Sequence, residues 1–205
     1  INVVRTVEQF EKAGASGIQL EDQVFPKKCG HFAGKTVITA DEMVQKIKAA
    51  VDSRRDPDFQ IVARTDARSI EGLNAALDRA RAYVEAGADA TFVEAPTSTG
   101  ELSRIASELP VPQIANMVFG GKTPLTSQHE LAEMGFAGVL YANAALQVSV
   151  RAVADMLSVL KDTGSLDSIA DRLATFDERQ LLVDKEKYDD LDQRYAVANP
   201  DQSSE

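Results

Sequence analysis

The sequence predicts an α/β chain: five βα steps of a (β/α)8 barrel, followed by extra helices. Three observations carry that prediction. Short apolar runs alternate with amphipathic helical stretches at about 25 to 40 residues per unit, which implies a parallel sheet covered by helices. No G-x-G-x-x-G turn follows any of these runs, as a dinucleotide-binding doubly wound sheet would carry. Polar residues collect instead at the C-terminal end of nearly every run: Glu21 and Asp22, Arg64 to Asp66, Glu94, Asn116, and last Tyr141 and Asn143. Barrel enzymes build their active sites on that rim.

Taken in order, Val3, Val4, Val7 and Phe10 form one face of a helix stopped at Gly14, and GIQLED follows as a buried parallel strand. The same step recurs four times. ADEMVQKIKAAVDS leads to FQIVARTDA, EGLNAALDRARAYVEAGADA to TFVEAP, TGELSRIASELP to PQIANMV, and TSQHELAEMG to FAGVLYANA. Gly14, Gly87 and Gly135 hold the same helix-stop position. Thr39 or Ala40 with Asp41, Thr97 or Ser98, and Thr126 or Ser127 stand where N-caps belong. After the fifth strand, ALQVSVRAVADMLSVLKDTG, SLDSIADRLATF and DERQLLVDKEKYDDLDQRY keep helical spacing. One such helix closes a barrel's last unit, and the others have no place in its outer ring.

A barrel needs about 250 residues. Ile1 already lies in or beside a helix with no strand before it, so the chain reads as the second part of a longer polypeptide with the first three βα units missing. The expected organisation is residues 1–160 as the C-terminal part of a barrel, with a mobile lid loop at 24–36, and 161–205 as a helical extension with a polar tail.

Composition narrows the partners. With 44% hydrophobic and 26% charged residues in 205, the chain buries a real core. A net charge of −10 argues against nucleic acid as a partner. One cysteine and two histidines exclude an internal disulfide and a four-ligand zinc cluster, so a reducing compartment, the cytoplasm, is expected. No apolar run reaches the roughly 20 residues that span a bilayer, so no membrane partner is expected.

The chemistry gathers in EDQVFPKKCGHFAGK, residues 21 to 35, which holds the chain's only cysteine. Lys27, Lys28 and His31 around Cys29 would favour its thiolate by Coulombic attraction. Gly30 and Gly34 supply the backbone freedom of a closing lid. The bland alternative is an apolar filler cysteine beside a solvated lysine pair. Arg64 with Asp66 also reads as a structural ion pair, Glu94 as a helix cap, and Asn116 as a partner for loop backbone. His129 sits on a polar helix face with no expected role, and GGK at 120–122 is a weak phosphate signal.

In order along the chain, LEDQ, KKCGH, ARTDA, FVEAP, ANMVFGGKTP and LATFDERQLLVDKEKYDDLDQRY resemble the isocitrate lyase and phosphoenolpyruvate mutase superfamily. The cysteine-bearing loop resembles its carbon–carbon lyase branch, the isocitrate, 2-methylisocitrate and 2,3-dimethylmalate lyases, and the later stretches are similar to the dimethylmalate lyase and petal-death group. The resemblance implies Mg²⁺-dependent (or Mn²⁺-dependent) cleavage of a small 2-hydroxy di- or tricarboxylate to a 2-keto acid and a carboxylate. It implies Cys29 as the proton donor, assisted by Lys27 and His31, and Gly30, Arg64, Glu94 and Asn116 as substrate-binding residues. Glu21 would stand in the metal's outer shell, with the direct ligands, an Asp-x-Asp type turn, expected upstream of Ile1. It further implies a homotetramer, a dimer of dimers that exchanges C-terminal helices. Phe119 departs from the pattern, standing where close relatives often carry Glu. A phosphoenolpyruvate mutase-like or oxaloacetate-hydrolysing enzyme, and a non-catalytic scaffold or binding protein, are the alternatives.

Overall fold

The computed structural model describes residues 1–30 and 32–197. Five strands run in sequence order: β1 (Gly17–Glu21), β2 (Gln60–Thr65), β3 (Ala90–Val93), β4 (Ile114–Asn116) and β5 (Gly138–Leu140). All pairings among them are parallel. β1, β2 and β3 form one ladder and β4 with β5 another, and a bridge between Thr91 and Gln113 joins the two. The register sets Glu21 level with Arg64, and Arg64 level with Phe92, so the polar residues at the strand ends share one edge of the sheet.

Between strands lie α1 (Asn2–Lys12), α2 (Ala40–Ser53), a single turn α3 (Arg68–Glu71), α4 (Leu73–Glu85), α5 (Thr99–Glu108) and α6 (Gln128–Met134). Thr39, Ser98 and Ser127 cap α2, α5 and α6 through their hydroxyls, and Ser127 completes a capping box with Glu130. Gly14, Gly87 and Gly135 take left-handed backbone at the helix ends, with φ of +86°, +104° and +104°. The helical stretch read from residue 71 onward is interrupted: Gly72 at φ +92° separates α3 from α4.

Two clusters make the core. Val7, Met43, Ile47, Ile61 and Tyr83 pack α1, α2 and α4 against β1 and β2. Leu77, Leu102, Ile105, Ala115 and Leu131 pack α4, α5 and α6 around the later strands. Full burial of each such side chain is worth about 1.5–3 kcal/mol, which holds the helices firmly beneath the strand ends.

The chain divides into two compact units, one up to Gln147 and the other from Val148 onward. The second unit holds most of α7 (Ala144–Thr163), a 3-10 turn over Asp167–Arg172, α8 (Phe176–Leu182) and α9 (Lys185–Tyr195). Thr175 caps α8 in a capping box with Glu178. Within this unit Ile169 is buried, while Val150, Leu157, Phe176, Leu181, Leu182 and Tyr188 are exposed. No helix among the described residues is long and apolar enough to cross a membrane.

Candidate active site

Glu21 ends β1, Arg64 is next to last in β2, Glu94 follows β3, and Asn116 ends β4. These four side chains meet Lys27, Lys28, Cys29, Gly30, Val118, Ala142 and Asn143 around one cavity of about 330 Å³. That is room for a small ligand.

Arg64 is the hub. Its Nε donates to Asp66 Oδ2 at 2.9 Å, and its Nη2 reaches Asp66 Oδ1 at 3.3 Å, Glu94 Oε2 at 3.2 Å and Glu21 Oε1 at 3.8 Å. Its guanidinium carbon lies 5.1 Å from the centroid of the Phe92 ring, a cation–π contact. Three carboxylates and an aromatic face fix the fork, so both readings of the Arg64–Asp66 pair describe the same residue: a structural ion pair whose guanidinium borders the cavity. Burial pushes the Asp66 carboxyl up, but hydrogen bonds and charge from Arg64, then from Lys35, hold it below the ordinary carboxylate range.

Glu94 is buried, and its two oxygens accept from Asn116 Nδ2 at 3.4 and 3.3 Å. The amide nitrogen therefore faces the carboxylate, and Asn116 Oδ1 is left buried with no hydrogen-bond partner among the described residues. A buried acceptor in that condition costs about 1–3 kcal/mol, so it calls for a donor such as a hydroxyl.

The loop from Val24 to Thr36 is tied at its base. Val24 N–H donates to Thr36 O at 2.9 Å, Ile38 N–H donates to Asp22 O at 2.8 Å, and Gln23 and Val37 form an antiparallel bridge. Gly30 lies directly on the Arg64–Glu94 pair: a Cβ there would sit 2.5 Å from Glu94 Cγ and 2.8 Å from Arg64 Nη2. Only glycine permits that approach.

Cys29 is exposed on the cavity wall. The lysines beside it are engaged elsewhere: Lys27 Nζ pairs with Glu21 Oε2 at 3.0 Å, and Lys28 Nζ donates to Gly34 O at 2.9 Å. His31 lies outside the described residues. Phe119 is exposed, and Val118 rather than Phe119 lines the cavity. His129 pairs with Glu133 on the surface at 3.4 Å.

Sequence reasoning missed the buried layer beneath the cavity. Asp22 Oδ2 accepts from Tyr83 Oη at 2.9 Å, and Asp22 Oδ1 accepts from the Asp66 N–H at 2.9 Å. Burial, opposed by these bonds and by Arg79, pushes the Asp22 carboxyl up. Gln23 and Lys35, both buried, hold the loop from within. Asp22 and Asp66 stood out as strand-end carboxylates, and Lys35 is the sequence's signal for a buried cation beside them.

No group of three His, Cys, Asp or Glu among the described residues is arranged to hold a metal ion. Glu21, with Lys27 on one oxygen and Gln23 Nε2 on the other at 2.6 Å, is placed as a hydrogen-bonding carboxylate and not as part of a coordination set.

Comparison with known proteins settles the kinship. The phosphoenolpyruvate phosphomutase (PEP mutase) family profile matches residues 1–161. The chain belongs to this family. It is 46% identical to 2,3-dimethylmalate lyase of Eubacterium barkeri over 197 residues, 96% of this chain and 68% of that protein. It is 42% identical to 2-methylisocitrate lyase of Escherichia coli K12 over 196 residues, 95% of this chain and 66% of that protein. Among solved structures, oxaloacetate acetylhydrolase in complex with 3,3-difluorooxalacetate superposes with a TM-score of 0.84 at 32% identity, covering 95% of this chain and 67% of that one. Phosphonopyruvate hydrolase in complex with oxalate and Mg²⁺ superposes at 0.80 and 28% identity, covering 96% and 68%. The chain thus spans about two thirds of the length of these relatives.

Proposed function

We propose that the polypeptide is a carbon–carbon lyase that cleaves a 2-hydroxy di- or tricarboxylate of the 2,3-dimethylmalate, 2-methylisocitrate or isocitrate type into a 2-keto acid and a carboxylate. The observation that carries this reading is the cavity itself: its lining holds a fixed guanidinium, an asparagine whose buried carbonyl oxygen has no donor among the described residues, and the chain's one thiol. Arg64 would anchor a substrate carboxylate. Asn116 Oδ1, beside Glu94, would accept from the 2-hydroxyl. Once that hydroxyl passes its proton to the carboxylate of Glu94, the C2–C3 bond breaks and leaves its electron pair on C3 beside a carboxylate. The Cys29 thiol gives C3 its proton. The strongest outside support is the similarity to 2,3-dimethylmalate lyase.

Several further features belong to the same proposal. The five-strand arc would be the C-terminal part of a (β/α)8 barrel, and the loop at 24–36 its lid. The cofactor would be Mg²⁺ or Mn²⁺, with Glu21 hydrogen-bonded to its waters; because the described residues form no coordination set, no step above runs through it. The apolar residues exposed on α7, α8 and α9 would be covered in a homotetramer, a dimer of dimers that exchanges helices. A cytoplasmic location fits the single cysteine.

The oxaloacetate acetylhydrolase likeness favours one second reading, hydrolysis of a 2-oxo dicarboxylate. A panel assay separates the two. Release of a 2-keto acid from 2-hydroxy dicarboxylates supports lyase chemistry, and turnover restricted to oxaloacetate would replace it with the hydrolase.

A further inference from the structure

Both peptide neighbours of Cys29 are held by buried side chains that none of the proposed chemical steps uses. On the N-terminal side stands Gln23, 7% exposed. Its Nε2 donates to Lys28 O at 2.8 Å and its Oε1 accepts from Lys28 N–H at 3.0 Å, a reciprocal amide pair that imitates one rung of a sheet. On the C-terminal side stands Lys35, whose side chain is 1% exposed. Its ammonium donates to Gly30 O and, at 2.8 Å, to Asp66 Oδ1.

A buried ammonium is costly unless it is paired and hydrogen-bonded. Asp66 already has the Arg64 fork as its partner, so pairing Asp66 is a weak reason to bury a second cation there. Among the described residues, the donor to the Gly30 carbonyl is Lys35. Through Asp66, one ammonium thereby ties the loop to the base of Arg64. Gly30 lies against Arg64 Nη2 with no room for a Cβ, so the Lys35 bond sets how far the loop descends toward the guanidinium.

Resting on the lyase reading, we propose that Lys35 is a positioning residue for Cys29: it fixes the Gly30 carbonyl, and with it the thiol's height above the Arg64 fork, without touching substrate. A displacement of about 1 Å between reacting groups costs on the order of 100-fold in rate. The loss should therefore fall on the proton-transfer step and spare carboxylate binding by Arg64.

The test uses Lys35→Met, which keeps the stem and removes the donors, in the full chain. Hydrogen–deuterium exchange should rise at least about tenfold across residues 24–34, with β2 and α4 unchanged; kcat on a cleaved hydroxy acid should fall at least about 30-fold, with KM within about threefold. Unchanged loop exchange, or unchanged kcat, overturns the proposal. So does a joint loss of kcat, KM and protection in β2 and α4, which marks a merely structural lysine. Exchange needs no turnover, so failure of the lyase reading leaves that arm decisive. If Lys35→Met does not fold, Lys35→Leu, which likewise carries no donor, is held to the same outcomes.

Discussion

The strand-end cavity and the C-terminal helices spend similar sequence patterns in opposite ways. Around the cavity, charged groups are buried and answered: Asp22 by Tyr83 and the Asp66 amide, Asp66 by Arg64 and Lys35, Glu94 by Arg64 and Asn116. In the unit from Val148 onward the order reverses. Its helices carry apolar residues at the same 3.6 spacing as α2 and α4, yet Leu157, Leu181, Leu182 and Tyr188 are exposed. An amphipathic face becomes core only where a second layer covers it. The sheet covers α2 and α4; for the helices after Val148, the proposed neighbouring subunit would be the cover.

The comparison breaks most sharply if those helices are dispensable. Removing residues from about 165 onward should abolish the oligomer or unfold the subunits, measured by light scattering at micromolar concentration. A stable monomer, with or without those residues, would show that the exposed faces need no partner. On the cavity side, Cys29→Ser should lower kcat by at least about 100-fold, the scale of a lost general acid, while the thermal unfolding midpoint stays put. Near-normal turnover would remove Cys29 from the chemistry. Arg64→Lys keeps the charge but loses the fork that three carboxylates now orient. Substrate affinity should fall by roughly 10- to 100-fold, read as KM or by calorimetry; an unchanged affinity moves the carboxylate site elsewhere.

The smallest effect sharpens the buried side. With its folded pKa raised by burial, Asp22 contributes stability that is present below its unfolded pKa of about 3.9 and is lost as pH rises through the folded value. Asp66 runs the other way: its folded pKa is lowered, so its contribution is present above the unfolded value and lost as pH falls through the folded one. Denaturant titrations from pH 4 upward should therefore show Asp22→Asn gaining stability relative to the parent as pH rises. A gap that stays constant with pH contradicts the raised value.

The contrast also explains what the sequence made legible. Strands, caps and helix-stop glycines are local signals, and Thr39, Ser98, Ser127, Gly87 and Gly135 stand where their neighbours required. Strand-end position alone brought Glu21, Arg64, Glu94 and Asn116 to one cavity, because a parallel sheet aligns its C-terminal ends. Pairings across long separations were not legible. Lys35 meets Asp66 across 31 positions, and Tyr83 meets Asp22 across 61. Which partner a long side chain takes is decided by packing: Lys27 turns to Glu21, and Lys28 to Gly34. The break at Gly72 went unread because the apolar spacing runs straight across it.

The central claim is that Cys29 protonates a carbanion released by carbon–carbon cleavage, and the most direct measurement follows that proton. 2,3-Dimethylmalate is incubated with the protein in D2O and the products are read by NMR. Pyruvate together with propionate carrying one deuteron at C2 is expected, with loss of both in Cys29→Ser. Propionate without carbon-bound deuterium, or undiminished labelling in the serine variant, would contradict it.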